Sequence, residues 1–168
     1  LSNPIAIRDA ALILATVAGK TMKPTVLCVG NCGFDQSTLN SYLLSRFDAT
    51  VLTADRAADA DSVLGKREVD LVLVNRVFDR DGDSGIDWIR RRFGEEGAAA
   101  GSRPIRAMLI SGYEDAQREA VRAGAVPGFG KSDLRSNLAG ERIAAALETR
   151  TAEEEGSSGG SVSEEDEA

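Results

Sequence analysis

Histidine is absent from the 168-residue sequence. With it go the commonest general base, the commonest zinc ligand and any Ser-His or Cys-His nucleophile couple. Cysteine is scarce: Cys28 and Cys32 cannot make a disulfide framework, which suits a reducing compartment. Long apolar runs are missing too. The stretch from Ala10 to Ala18 is too short to span a bilayer, and Arg8 and Asp9 before it make a poor signal-peptide n-region, so a cytoplasmic protein with no membrane span is expected. Basic residues stop at Arg150. Beyond it lie Glu153, Glu154, Glu155, Glu164, Glu165, Asp166 and Glu167, which account for the whole formal charge of -7. The preceding body is therefore neutral, lacks the basic bias that phosphate-backbone binding needs, and is not expected to bind nucleic acid. Arg90 to Arg92 read as a solvated helix face.

Hydrophobic residues make up 42% of the chain, enough for one core and one domain with appendages. Ser2-Asn3-Pro4 reads as a helix start and Gly19 as a stop, predicting a helix over residues 4–18. Its Ile5, Leu12, Ile13, Leu14 and Val17 require something to pack against. From Lys23 onward, short apolar runs alternate with amphipathic stretches. Strands are predicted at Thr25–Val29, Thr50–Thr53, Val69–Val74, Ile105–Ile110 and Val126–Phe129. Helices are predicted at Gln36–Arg46, Ala57–Leu64, Gly85–Arg92, Glu114–Ala123 and Leu134–Thr149. Five βα units in succession imply an α/β fold with a doubly wound parallel sheet, and place any site at the carboxyl ends of the strands. The tail TAEEEGSSGGSVSEEDEA is nearly devoid of apolar residues and is expected to be disordered.

The segments VLCVGNC, VDLVLVN, MLISG and AGAVPGFGKSD leave or contain the first, third, fourth and fifth predicted strands. In that order they resemble the response-regulator receiver domains of bacterial two-component signalling. The resemblance covers residues 24–150 and implies a five-stranded sheet in the flavodoxin-like order 2-1-3-4-5. Residues 1–23 then form a helical extension and residues 151–168 an acidic tail. In that family these edges carry an acidic pair, a phosphoacceptor aspartate, a Ser or Thr, and a lysine. Ser111 and Lys131 match the last two. The acidic pair is Gly30-Asn31 here, followed by Cys32, and the phosphoacceptor position is Asn75. A carboxamide oxygen is a poor nucleophile, and Mg²⁺ prefers anionic oxygen, so neither phosphoryl acceptor nor metal site is expected. The loss of carboxylates favours a neutral polar network around Lys131, with Asp35 and Asp79 as its alternative partners. Gly128 stands at the family's aromatic switch position, three residues before the lysine, with Phe129 one place later.

Three other motifs have plainer readings. AVPGFGKS at Ala125–Ser132 fits a loose P-loop, but an amphipathic helix precedes it and no acidic strand end follows. Asp79 to Gly85 resembles a calcium loop, yet Ser84 and Arg90 stand where Gly and a bidentate Glu are needed, so a solvated turn capping the next helix is expected. Cys32 beside Lys131 could serve as a sensing thiol, against a small residue filling the space of a missing aspartate. Trp88 reads as core or interface.

These readings converge on a non-enzymatic pseudo-receiver with no cofactor. It is expected to act as an interaction or scaffold module in bacterial signalling or localisation. Contact with a protein partner is expected through the Glu114–Thr149 face, since the family uses its fourth helix, fifth strand and fifth helix, or through the N-terminal helix; homodimerisation is an alternative. A small-ligand or redox sensor built on Gly30, Asn31, Cys32, Asn75, Ser111 and Lys131 is the competing class.

Overall fold

The computed structural model describes residues 23–97 and 105–156. Within them, β1 (Thr25–Val29), α1 (Gly33–Phe47), β2 (Thr50–Ala54), α2 (Ala57–Lys66), β3 (Leu71–Asn75), α3 (Gly85–Phe93), β4 (Arg106–Ile110), α4 (Glu114–Arg122) and β5 (Val126–Phe129) follow in order. A 3₁₀ turn (Lys131–Arg135) and α5 (Leu138–Gly156) complete the fold. All strand pairs are parallel and the order is β2-β1-β3-β4-β5. This is the flavodoxin-like arrangement that the family resemblance implies. The added N-terminal helix, predicted over residues 4–18, lies outside the described residues.

The period-two alternation of the strands builds two apolar layers. Leu27, Val29, Val72, Val74 and Leu109 face one layer with Ala60, Trp88, Ile89 and Ala120, on the side of α2, α3 and α4. Val26, Cys28, Leu71, Leu73, Met108 and Ile110 face the other, against Leu39 and Leu43 of α1 and Ala139 and Ile143 of α5. Strands covered on both faces explain why β1, β3 and β4 are continuous apolar runs. Trp88 belongs to the first layer: it is 1% exposed, its Nε1 donates to Asp61 at 3.2 Å, and Phe93 meets it edge-on at 5.5 Å.

Most elements differ from expectation by one to three residues at an end; the larger differences are in the last helix. The single helix predicted at Leu134–Thr149 is divided, because Ser136 is extended, its Oγ accepts from Leu138 N at 3.3 Å, and Asn137 O receives the first helical bond, from Glu141 N. Cap-forming residues thus restart the helix. Its far end runs to Gly156, so Arg150, taken as the domain boundary, lies inside α5. Residues 157–168 lie outside the described residues. None of the described helices is long and apolar enough to cross a membrane.

Candidate functional site

β1, β3, β4 and β5 all point their carboxyl ends to one edge, which gathers Gly30, Asn31, Cys32, Asn75, Ser111 and Lys131 there. Gly30 leaves β1 at φ +77°, in the left-handed region that favours glycine. Phe78, three residues after Asn75 and 1% exposed, lies directly over it. A Cβ on residue 30 would stand 2.8 Å from the ring's Cγ and closer still to Cδ1. The left-handed backbone and a buried aromatic ring together penalise any side chain at this position, which would have to displace the ring.

Asn75 ends β3 and is held as a donor. Its Nδ2 donates to Gly30 O at 3.0 Å and to Val77 O at 2.8 Å. Gly30 O also accepts from Asp79 N at 3.0 Å, so both of its lone pairs are engaged. A carboxylate can only accept, and could make neither of the Asn75 bonds. The amide therefore does here what an aspartate could not.

Lys131 corrects the expectation of a neutral network. Its ammonium pairs with the carboxylate of Asp35, in the first turn of α1, rather than with an amide oxygen. The same carboxylate accepts from Cys32 Sγ at 3.3 Å. Chiefly through the Lys131 hydrogen bond, against a smaller opposing effect of burial, Asp35 is held below the usual carboxylate range. Cys28, on buried β1, has its thiol pushed up to about 11 by burial. Neither Lys131 nor Ser111 is hydrogen-bonded to Asn75 among the described residues. Ser111 is 8% exposed, and its Oγ accepts from Tyr113 N at 3.2 Å. Asn31 is the loose member: both polar atoms of its carboxamide are buried without a hydrogen-bond partner.

Gly128 has a structural assignment of its own. β4 and β5 shift register between Met108 and Ile110, which face Val126 and Phe129, so Pro127 and Gly128 form a bulge. Phe129 is 1% exposed and packs in the core. At Gly128 a Cβ would lie 2.9 Å from Gln117 Oε1 and closer to Leu109 O. Gly128 N donates to Gln117 Oε1 at 3.1 Å, and Gly128 O accepts from Arg142. Gly130 N donates to Asp133 Oδ2 at 2.7 Å. These N–H groups, which a phosphate cradle would need, are taken internally, one of them by an acid.

The acidic turn after β3 caps a helix. Ser84 Oγ accepts from Asp87 N at 3.2 Å at the start of α3, and Asp81 accepts from Asp83 N at 3.1 Å. Beside the site, between this turn and α4, an open groove of about 570 Å³ is lined by Arg76, Val77, Ile86 and Tyr113. The Arg76 guanidinium sits 5.1 Å from the Tyr113 ring centre.

Sequence reasoning did not single out Phe78, Gln117 or Arg142 as part of this edge. Phe78 was legible as the one aromatic side chain in a loop whose only other large apolar residue is Val77. Gln117 carried no signal, because a glutamine on an exposed-looking helix is ordinarily solvated.

No protein-family profile matches the sequence, and no curated protein matches it. Solved structures do. The signal receiver domain of an HD domain-containing protein from Pseudomonas fluorescens Pf-5 is 25% identical, with a TM-score of 0.63 over 83% of this chain and 98% of that one. A response regulator receiver protein from Pseudomonas putida is 26% identical, with a TM-score of 0.56 over 73% and 96%. NtrX from Brucella abortus is 21% identical, with a TM-score of 0.60 over 81% of this chain, which spans only 29% of the length of NtrX. The chain has the receiver fold, and its structural neighbours are receiver domains of response regulators.

Proposed function

We propose that this chain is a pseudo-receiver: a receiver-fold module of bacterial signalling or localisation that takes no phosphoryl group and works by binding another protein. The observation that carries the reading is the double hydrogen bond of Asn75. Its amide engages Gly30 O and Val77 O, while Phe78 fills the space beside Gly30. Neither an acyl phosphate nor an anionic metal cage can form from Gly30, Asn31 and Asn75. With an amide at residue 75, this edge has no carboxylate in the place that would receive a phosphoryl group, which supports a role other than phosphotransfer.

The Glu114–Thr149 segment is the proposed contact face. In its favour, Val121 is 45% and Leu138 is 36% exposed, and such apolar side chains gain from desolvation at an interface. Incubation with acetyl phosphate and Mg²⁺, read by intact mass, tests the first part: no gain is expected, and a gain of one phosphoryl group that Asn75→Ala removes refutes it. A photo-crosslinker at Val121, used in cells of the source organism, tests the second. One discrete adduct is expected, and its absence overturns the face.

The ligand-sensor reading has one observation in its favour, the unpartnered carboxamide of Asn31. A buried polar pair left unmade costs about 1–3 kcal/mol, which a small amide-like ligand would recover. A melting shift with such a ligand, abolished by Asn31→Ala, would favour this reading over the scaffold.

A further inference from the structure

The exposed side chains of α1 are Phe34, Ser37, Thr38, Ser41, Leu44 and Ser45. None is charged. Every other described helix carries charges on its exposed face: Asp59 and Lys66 on α2, Arg90 on α3, Glu114 and Arg118 on α4, and Glu141 on α5. Phe34 is 82% and Leu44 is 55% exposed, placing one large apolar side chain near each end of the helix. On the same face, Thr38 Oγ1 and Ser45 Oγ donate to Phe34 O and Tyr42 O, each at 3.2 Å. These hydroxyl donors are satisfied by the helix itself and would lose little on leaving water. A 15-residue helix with such a face is better suited to a second helix than to solvent.

We infer that the outward face of α1 is the docking surface for the segment of this same chain that precedes Lys23. Lys23 Nζ bonds to Asp48 Oδ1 at 3.2 Å, just past the end of α1, and Pro24 O accepts from Thr50 N at 2.8 Å. The preceding chain therefore departs beside the Leu44 end of α1. Ala10 to Ala18 contains no charged residue and includes Leu12, Ile13, Leu14 and Val17, matching an uncharged face with apolar anchors. A helix over residues 4–18, as its sequence predicts, is about 22 Å long, the same as α1. Residues 19–22 reach about 13 Å, enough for the 8–10 Å between packed helix axes. So short a tether holds the segment near the face at roughly millimolar effective concentration, which favours this occupant over a second copy. The inference is independent of the proposed signalling role, since α1 contributes no residue to the Glu114–Thr149 face.

The test uses the full chain, with Leu44→Glu and Ser41→Arg on the exposed face of α1 and Ile13→Glu on the preceding segment. Trypsin cleavage after Arg8 is followed by mass, with the tether site after Lys20 as an internal reference and sedimentation at two concentrations. A monomer is expected in which each substitution speeds cleavage after Arg8 by about tenfold. Cleavage unaffected by any of the three, or affected by Ile13→Glu alone, overturns the inference. So does a dimer that Leu44→Glu dissociates, because the occupant is then a second copy. Far-ultraviolet circular dichroism checks that the variants keep the fold, and Ser41→Arg, which removes no apolar contact, remains informative where Leu44→Glu does not fold.

Discussion

Phe78 covers Gly30 so closely that the two residues define one packing unit: the ring is buried because residue 30 has no side chain, and residue 30 can have none because of the ring. Gly30→Asp meets two penalties, the left-handed backbone at φ +77° and displacement of the ring. Together these cost about 2–5 kcal/mol. In a Phe78→Ala background the steric part disappears and Gly30→Ala should cost only about 1–2 kcal/mol, the backbone share. Urea unfolding of the double-mutant cycle reads this coupling, and additive effects would refute it.

Asn75 gives an inverted substitution order. Asparagine to aspartate is nearly isosteric, but the carboxylate would lose both donated bonds and face the oxygens of Gly30 and Val77. Asn75→Ala removes the bonds without adding that repulsion, at about 1–3 kcal/mol. Asn75→Asp is therefore expected to be the less stable of the two at neutral pH. Equal or greater stability of the aspartate variant in urea, without added cation, counts against the donor role of the amide.

The Asp35–Lys131 pair sets a pH dependence. Asp35 has its folded value lowered, mainly by the Lys131 hydrogen bond, so its contribution is present above the unfolded carboxylate range and is lost as pH falls through the lowered folded value. Both partners are partly exposed, which limits the pair to about 0.5–1 kcal/mol. Asp35→Asn should lie below the native chain by that amount at pH 7, and the gap should close in strong acid. A constant gap across the titration would mean that packing, not the ion pair, is lost.

The sequence made the sheet legible because its strands are buried on both faces, so that TVLCV, VDLVLV and IRAMLI appear as unbroken apolar runs, and parallel order follows from the intervening helices. It made the gathering of Gly30, Asn31, Asn75, Ser111 and Lys131 legible for the same reason, since strand ends share one edge. Side-chain pairing was not legible. Lys131 and Asp35 are 96 residues apart, and nothing local distinguishes Asp35 from Asp79 as the partner. The division of the last helix was missed because Ser136-Asn137 was read as helix interior, although both residues favour caps.

Gln117 is the side chain on which the β5 edge depends. The bulge leaves Gly128 out of register with β4, and its N–H is satisfied by Gln117 Oε1 at 3.1 Å. Gln117 Nε2 meanwhile donates to Leu109 O at 3.0 Å and Ser111 O at 2.9 Å. One amide thus ties α4 to both β4 and β5, while Arg142 of α5 takes Gly128 O from the other side. Gln117→Ala strands a buried N–H and removes a partner from two carbonyls, at about 2–4 kcal/mol. Gln117→Glu keeps the acceptor but loses both donors, so it should not rescue. Arg142→Ala acts on the same peptide, and the pair should be non-additive by about 0.5 kcal/mol or more. Amide exchange checks the mechanism directly: Gly128 N–H should lose protection in Gln117→Ala while the buried amides of β1 keep theirs. Uniform loss across the sheet would show that the substitution lowers global stability alone, and would remove Gln117 as the specific tie between α4 and β5.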